Sequence, residues 1–283
     1  MDNLTLTGTD NIAGFGNVLN NAITGNDGSN TLNGLAGNDT IIGGLGDDTL
    51  IGGMGVDNLS GGKGNDTYVV DLIKLGTGTG SFVALQDVVN ELANEGTDTI
   101  VLTNLSGANN AAVDLSLTNA TTLTLAANIE NMDASQTGDT KLNITGNASA
   151  NTLIGNDADN VLIGGLGSDT LTGGLGADLF KFNTTTESVV GLSHDVILDF
   201  SSFEHDKIDL SVIDAQTNVA GNQAFNFIGN NINGDVVFTH HSGELIFDTA
   251  TQSVLGDVNG DGIADFQIEL LGVNAMSASD FVL

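Results

Sequence analysis

The chain has no cysteine, no proline and no arginine among its 283 residues. Without cysteine, disulfides and thiolate metal sites are excluded. Five lysines (Lys63, Lys74, Lys141, Lys181 and Lys207) stand against 36 aspartates and glutamates, for a formal net charge of −31. Nucleic acid binding needs a basic footprint, so it is excluded as a function class. Anionic membrane surfaces are disfavoured for the same reason. No apolar run approaches the roughly 18 residues of a membrane span. The N-terminus, Met1-Asp2-Asn3-Leu4, lacks the basic and apolar regions of a standard signal peptide. The length suits one large domain or two small ones. A charge this large opposes compaction unless counter-ions neutralise it.

What the chain does have is a nine-residue unit, Gly-Gly-x-Gly-x-Asp-x-apolar-x. It runs without insertion through Gly25–Asn33, Gly34–Ile42, Gly43–Ile51, Gly52–Ser60 and Gly61–Val69. The loop-end residues are Asn30, Asp39, Asp48, Asp57 and Asp66, and an apolar residue follows each two positions later: Leu32, Ile41, Leu50, Leu59, Tyr68. A second array spans Gly146–Ile154, Gly155–Ile163, Gly164–Thr172 and Gly173–Lys181, with loop ends Asn151, Asn160, Asp169 and Asp178. Glycines permit tight loops of positive φ that expose backbone carbonyls. The x-apolar-x end makes a short strand with one side chain inward. Two units per coil give a right-handed parallel roll with a useful period of 18. Ile23, Ile41 and Leu59 then line one sheet, and Leu32, Leu50 and Tyr68 the other. Asp39 lies over Asp57 and Asp48 over Asp66, about 4.8 Å apart by strand spacing. Stacked carboxylates repel without a cation, and Ca²⁺ takes about six to eight such oxygens. The bland alternative, a disordered Gly/Asn/Asp linker, does not require strict register. Without calcium, disorder is the expected state, because binding and folding are coupled. The Asn/Asp pairs of the second array are expected to bind more weakly than the all-Asp pairs. Residues 16–24 read as a degenerate edge coil able to cap the first stack.

These repeats resemble the RTX (repeats-in-toxin, haemolysin-type) calcium-binding family. Asn65-Asp66-Thr67-Tyr68-Val69-Val70-Asp71 is similar to the strand that ends such arrays. Glu95-Gly96-Thr97-Asp98-Thr99-Ile100-Val101 and Asn128-Ile129-Glu130-Asn131-Met132 are similar to RTX spacers. The segments 195–200 and 206–211 resemble the C-terminal domain of serralysin-type secreted proteins. The resemblance implies a secreted protein, extracellular or at the cell surface, whose partner is type I secretion machinery reading an uncleaved C-terminal signal. Asp280, Phe281, Val282 and Leu283 resemble that signal, and an ordinary last strand is the plain alternative.

The expected fold is therefore all-β: a calcium-loaded parallel β-roll with a C-terminal β-rich cap. The expected divisions are 1–71 for the first array, 72–145 for an irregular spacer, 146–182 for the second array and 183–283 for the C-terminal domain. In the spacer, Leu115, Leu117, Leu123 and Leu125 alternate as in further strands. A further calcium candidate is Asp257, Asn259, Asp261, Ile263 and Asp265, which match the first nine positions of an EF-hand-type loop. The twelfth position is Ile268 rather than Glu, and a hairpin turn is the alternative. No catalytic site is expected. There is no His-Glu-x-x-His, and His240 and His241, adjoining in an expected strand, would point to opposite faces. Gly191-Leu192-Ser193-His194-Asp195 lacks the second glycine of a nucleophile elbow and reads as a turn. The segment from Asp2 to Gly8 resembles the middle of a spacer. This keeps open a second expectation: that the chain is the tail of an extracellular protease, lipase, epimerase or adhesin.

Overall fold

A computed structural model describes residues 3–76, 80–104 and 119–283. The chain forms two compact units, residues 1–141 and 142–283. The second nonapeptide array and the C-terminal segment fall in one unit.

In the first unit the repeat sets the strands. One parallel sheet runs β1 (Asn3–Thr5), β3 (Ala22–Thr24), β5 (Thr40–Leu45), β7 (Asn58–Lys63) and β10 (Val88–Val89). The other runs β2 (Ala13–Asn17), β4 (Thr31–Ala36), β6 (Thr49–Met54), β8 (Thr67–Leu75), β11 (Thr99–Asn104) and β13 (Asn131–Asp133). Strand β9 (Phe82–Leu85) folds back antiparallel on β8, and β12 spans Thr121–Thr124. Register is the expected 18: Ile23 pairs Ile41, Ile41 pairs Leu59, Leu32 pairs Leu50 and Leu50 pairs Tyr68. Beyond β8 the same inward row continues through Ile100 to Met132. All of these side chains are buried. Each buried Leu or Ile contributes about 1.5–3 kcal/mol, so the core is a file of similar contacts, with no single central cluster.

The second unit repeats this plan. One sheet runs β14 (Leu142–Thr145), β16 (Val161–Ile163), β18 (Leu179–Lys181), β20 (Lys207–Asp209) and β25 (Phe281–Val282), all parallel. The other runs β15 (Thr152–Ile154), β17 (Thr170–Thr172), β19 (Asp195–Ile197) and β24 (Phe266–Leu270), also parallel. There the roll gives way to antiparallel pairing, through β23 (Ser253–Asp257) to β22 (Glu244–Asp248). The edge strand β21 (Asn226–Asn231) lies parallel to β22. The chain's last strand completes the inward file Phe180, Ile208, Phe281.

Each unit is thus an all-β parallel roll, the second with a β-rich end, and the described residues include no α-helix. Several local expectations are corrected. Residues 16–24 do not cap the first stack, because β1 lies outside β3 and carries the sheet one coil further. Of the segment 195–200, only Asp195–Ile197 is strand. His240 and His241 lie in irregular chain before β22, and His240 has a φ of 64°. Leu123 and Leu125 are buried as expected, while Leu115 and Leu117 lie outside the described residues.

Candidate metal centre

The loop ends build columns of carboxylates. In each rung, one oxygen of a loop-end side chain accepts the backbone N–H of the loop-end residue one coil earlier. Asp39 Oδ1 accepts from Asn21, Asp57 Oδ1 from Asp39, Asp48 Oδ1 from Asn30 and Asp66 Oδ1 from Asp48, all at 2.7 Å. In the second unit Asp169 Oδ1 accepts from Asn151 at 2.7 Å, and Asp178 Oδ1 from Asn160 at 2.8 Å. The spacing is set by the strands, since every coil delivers its loop end one sheet rung further along.

The second oxygen of these aspartates is different. Oδ2 of Asp39, Asp48, Asp57, Asp66, Asp169 and Asp178 is buried and has no hydrogen-bond partner. Each of these residues is 1 % exposed. A buried carboxylate oxygen without a donor is costly, and here the pattern recurs at one repeat position. Burial raises the Asp48, Asp57, Asp66 and Asp169 carboxyls to about 6 and Asp178 to about 7, and neighbouring acids add to it, Glu187 in the case of Asp169. The Asp39 carboxyl is raised as well, again by burial.

The first glycine of the unit explains what the second oxygen faces. A Cβ on Gly34 would overlap Asp39 Oδ2 and the Gly52 carbonyl oxygen; on Gly43 it would overlap Asp48 Oδ2 and the Gly61 carbonyl oxygen. Carboxylate and carbonyl oxygens therefore converge on a seat that exists only because the residue beneath is glycine. A hard cation takes such a donor set, and the residues present fit Ca²⁺. The unit's later glycines do a separate job. Gly44 and Gly46 have φ of 124° and 95°, and Leu35, at a degenerate glycine position, is forced to 76°.

The asparagines at loop ends behave otherwise. Asn30 Oδ1 accepts the Asn26 N–H at 2.8 Å and its Nδ2 donates to Asn26 Oδ1 at 2.9 Å. Asn151 and Asn160 accept the N–H groups of Asn147 and Asn156 in the same way, at 2.8 Å each. These side chains close their own loops.

Sequence spacing missed the continuation of each column. Asp57 N–H donates to Asp87 Oδ1 at 3.0 Å, Asp66 N–H to Asp98 Oδ1 at 2.8 Å, and Asp98 N–H to Glu130 Oε2 at 2.8 Å. In the second unit Asp195 and Asp206 receive the N–H groups of Asp169 and Asp178, both at 2.9 Å. The period has stretched from 18 to 30, 32, 26 and 28 residues, which hides these acids from a nonapeptide search. The surviving signal is local: an acid two residues before an apolar strand residue, as in Asp98-Thr99-Ile100 and Asp195-Val196-Ile197. Oδ2 of Asp87 and of Asp195 is again buried and unpartnered. Burial lifts Asp87 to about 7, Asp98 to about 6 and Asp195 to about 8. Both arrays thus begin on Asn and continue on acids, so the contrast drawn between an all-Asp and a mixed array is smaller than the 18-residue period implied.

The EF-hand-like loop is the turn between β23 and β24. Asp257 Oδ1 accepts the N–H groups of Asn259 and Gly260, and Oδ2 that of Gly262. Asp261 Oδ1 accepts the Ile263 N–H, while Asp265 accepts from Val258 N–H and Asn259 Nδ2. Both carboxylate oxygens of Asp257 and of Asp265 thus serve the turn's own donors. At the C-terminus, Asp280 closes a capping box with Ser277, and Phe281 is buried with its ring 5.1 Å from that of Phe227.

The Peptidase M10 serralysin C-terminal family matches residues 128–283, and the RTX calcium-binding nonapeptide repeat (four copies) matches residues 15–50 and 36–68. Among solved structures, the extracellular lipase LipA from Serratia marcescens is 16 % identical, with a TM-score of 0.18. The match covers 98 % of this chain, which spans 40 % of the length of that lipase. No curated protein matches the chain.

Proposed function

We propose that this chain, which belongs to the serralysin C-terminal family and carries RTX calcium-binding nonapeptide repeats, is a calcium-driven folding and export module with no catalytic site of its own. As a member it is a calcium-binding module of the secreted type. The observation that carries the finer reading is the column of buried, unpartnered Oδ2 atoms, which at Asp39 and Asp48 share their seats with glycine carbonyls. Asp39, Asp48, Asp57, Asp66, Asp169 and Asp178 are its proposed ligands, with Asp87 and Asp195 extending the columns. Calcium would neutralise oxygens that otherwise destabilise the fold. Low calcium then favours the open chain and high calcium the roll, by mass action on the native state. That coupling suits passage through type I secretion machinery and folding outside the cell. Asp280, Phe281, Val282 and Leu283 are the proposed address, held in the fold as its last strand.

A second reading is favoured by the matched family being a C-terminal domain. The same module would then be the tail of a longer extracellular enzyme (a protease, lipase or epimerase) or adhesin. The coding sequence upstream of residue 1 separates the two.

Far-ultraviolet circular dichroism during calcium titration tests the main reading. β-structure should be lost in chelator and return cooperatively with calcium. Strand content indifferent to chelator would refute it.

A further inference from the structure

We propose a cation site where the first array ends, built by Asp66 of the last nonapeptide loop together with Glu91 and Asp98, which lie beyond the repeats. It rests on calcium being the ion of the regular rungs. One ligand atom from each residue lies within 4.8 Å of the other two. Asp66 is 1 % exposed and its Oδ2 has no partner, and Glu91 Oε2 is likewise buried and unpartnered. No lysine or histidine among the described residues forms an ion pair with any of the three.

The position brings Tyr68 and Glu91 beside Asp66. Over Gly34 and Gly43, the Asp Oδ2 shares its seat with the carbonyl of a glycine one coil on. Over Gly61 the neighbour of Asp66 Oδ2 is the Tyr68 hydroxyl. That hydroxyl accepts the Gly61 N–H at 2.6 Å and donates to Glu91 Oε1. Tyr68 thus fixes the Glu91 carboxyl, leaving Oε2 free to turn on the same space as Asp66 and Asp98. The three carboxylates offer an all-oxygen, strongly anionic donor set, which selects a hard divalent ion of the calcium class. Asp66 and Asp98 are held by the rung N–H groups of Asp48 and Asp66. Glu91 is the residue specific to this site, and Tyr68 acts by positioning it.

Tyr68 is the only tyrosine of a chain without tryptophan, so tyrosine-sensitised terbium luminescence reports ions at this end of the array alone. The experiment compares the full chain with Glu91→Gln, adding Tb³⁺ and then displacing it with Ca²⁺, while calorimetry counts the calcium bound in total. The wild type should show sensitised emission that calcium displaces. In Glu91→Gln the midpoint should move to higher ion concentration by at least about tenfold, the scale of losing a supporting group at a metal site, while the other sites keep their heats. Tyr68→Phe should weaken the same site in the calorimeter through loss of orientation. Equal midpoints in wild type and Glu91→Gln would overturn the site, as would calcium binding without sensitised emission. A wild type that binds no calcium in the calorimeter would overturn the regular rungs together with this site, which separates the two failures.

Discussion

Asp57→Asn should change sign with calcium. In the metal-free fold Asp57 Oδ1 holds the Asp39 N–H at 2.7 Å, while Oδ2 is buried without a partner. Leaving a buried polar group unpaired costs about 1–3 kcal/mol, and more when it is charged. Burial raises the Asp57 carboxyl to about 6, and the nearby charges of Asp39 and Asp71 push the same way. The Asp87 carboxylate stands next in the same column, its Oδ1 accepting the Asp57 N–H at 3.0 Å. Asparagine keeps an oxygen for the Asp39 N–H and offers Asp87 an amide donor where Asp57 offered a charge. Without calcium the variant should therefore be more stable, by about 1–2 kcal/mol. With calcium the same change removes an anionic ligand and should raise the midpoint of calcium-driven folding by at least about tenfold, or about 1.4 kcal/mol per site. The assay is urea unfolding followed by circular dichroism, at fixed free calcium and in chelator with a stabilising osmolyte. If Asp57→Asn destabilises the chelated chain, or leaves the calcium midpoint unmoved, Oδ2 is not an ion seat.

The other predictions address separate parts of the fold. Gly43→Ala should abolish one rung's binding, since the new Cβ meets Asp48 Oδ2 and the Gly61 carbonyl, whereas Gly80→Ala, with nothing within 4 Å, should leave calorimetric stoichiometry intact. Carboxyls raised to about 6–8 hold protons in the metal-free fold that the unfolded chain has released. Their contribution is fully present below the ordinary value of 3.8 and is lost as pH rises through the raised values. The chelated chain should accordingly be more stable at about pH 5 than at about pH 8, while calcium affinity runs the opposite way; a calcium midpoint independent of pH would contradict this. Asp261→Ala should leave the number of bound ions unchanged in calorimetry, because the oxygens of its loop already serve the turn. Removing Asp280 through Leu283 should reduce export in a secretion assay. It should also lower stability, since Phe281 is buried against Phe227; a control Phe281→Leu chain separates the two effects.

What could be read from the sequence was whatever the 18-residue period carried. Register, the inward file from Ile23 to Tyr68, and the stacking of Asp39 on Asp57 and Asp48 on Asp66 all follow from glycine spacing and one apolar residue per unit. The columns beyond that period were hidden because coil closure depends on where a strand re-enters the sheet, while the length of chain between strands is free. Thus Asp87, Asp98, Asp195 and Asp206 reach the same rungs after 26–32 residues. Asn30, Asn151 and Asn160 share the aspartates' place in the repeat, yet an amide can satisfy itself within its own loop and a carboxylate cannot. Side-chain protons, which no spacing rule sees, decide between a closed turn and an open ion seat. Tyr68 shows the same limit. Its place in the inward file was legible, but its hydroxyl matters only because Glu91 returns beside it from a segment with no repeat. The repeat therefore specifies the scaffold, and the ends of the arrays are completed by acids that only the folded coil brings into line.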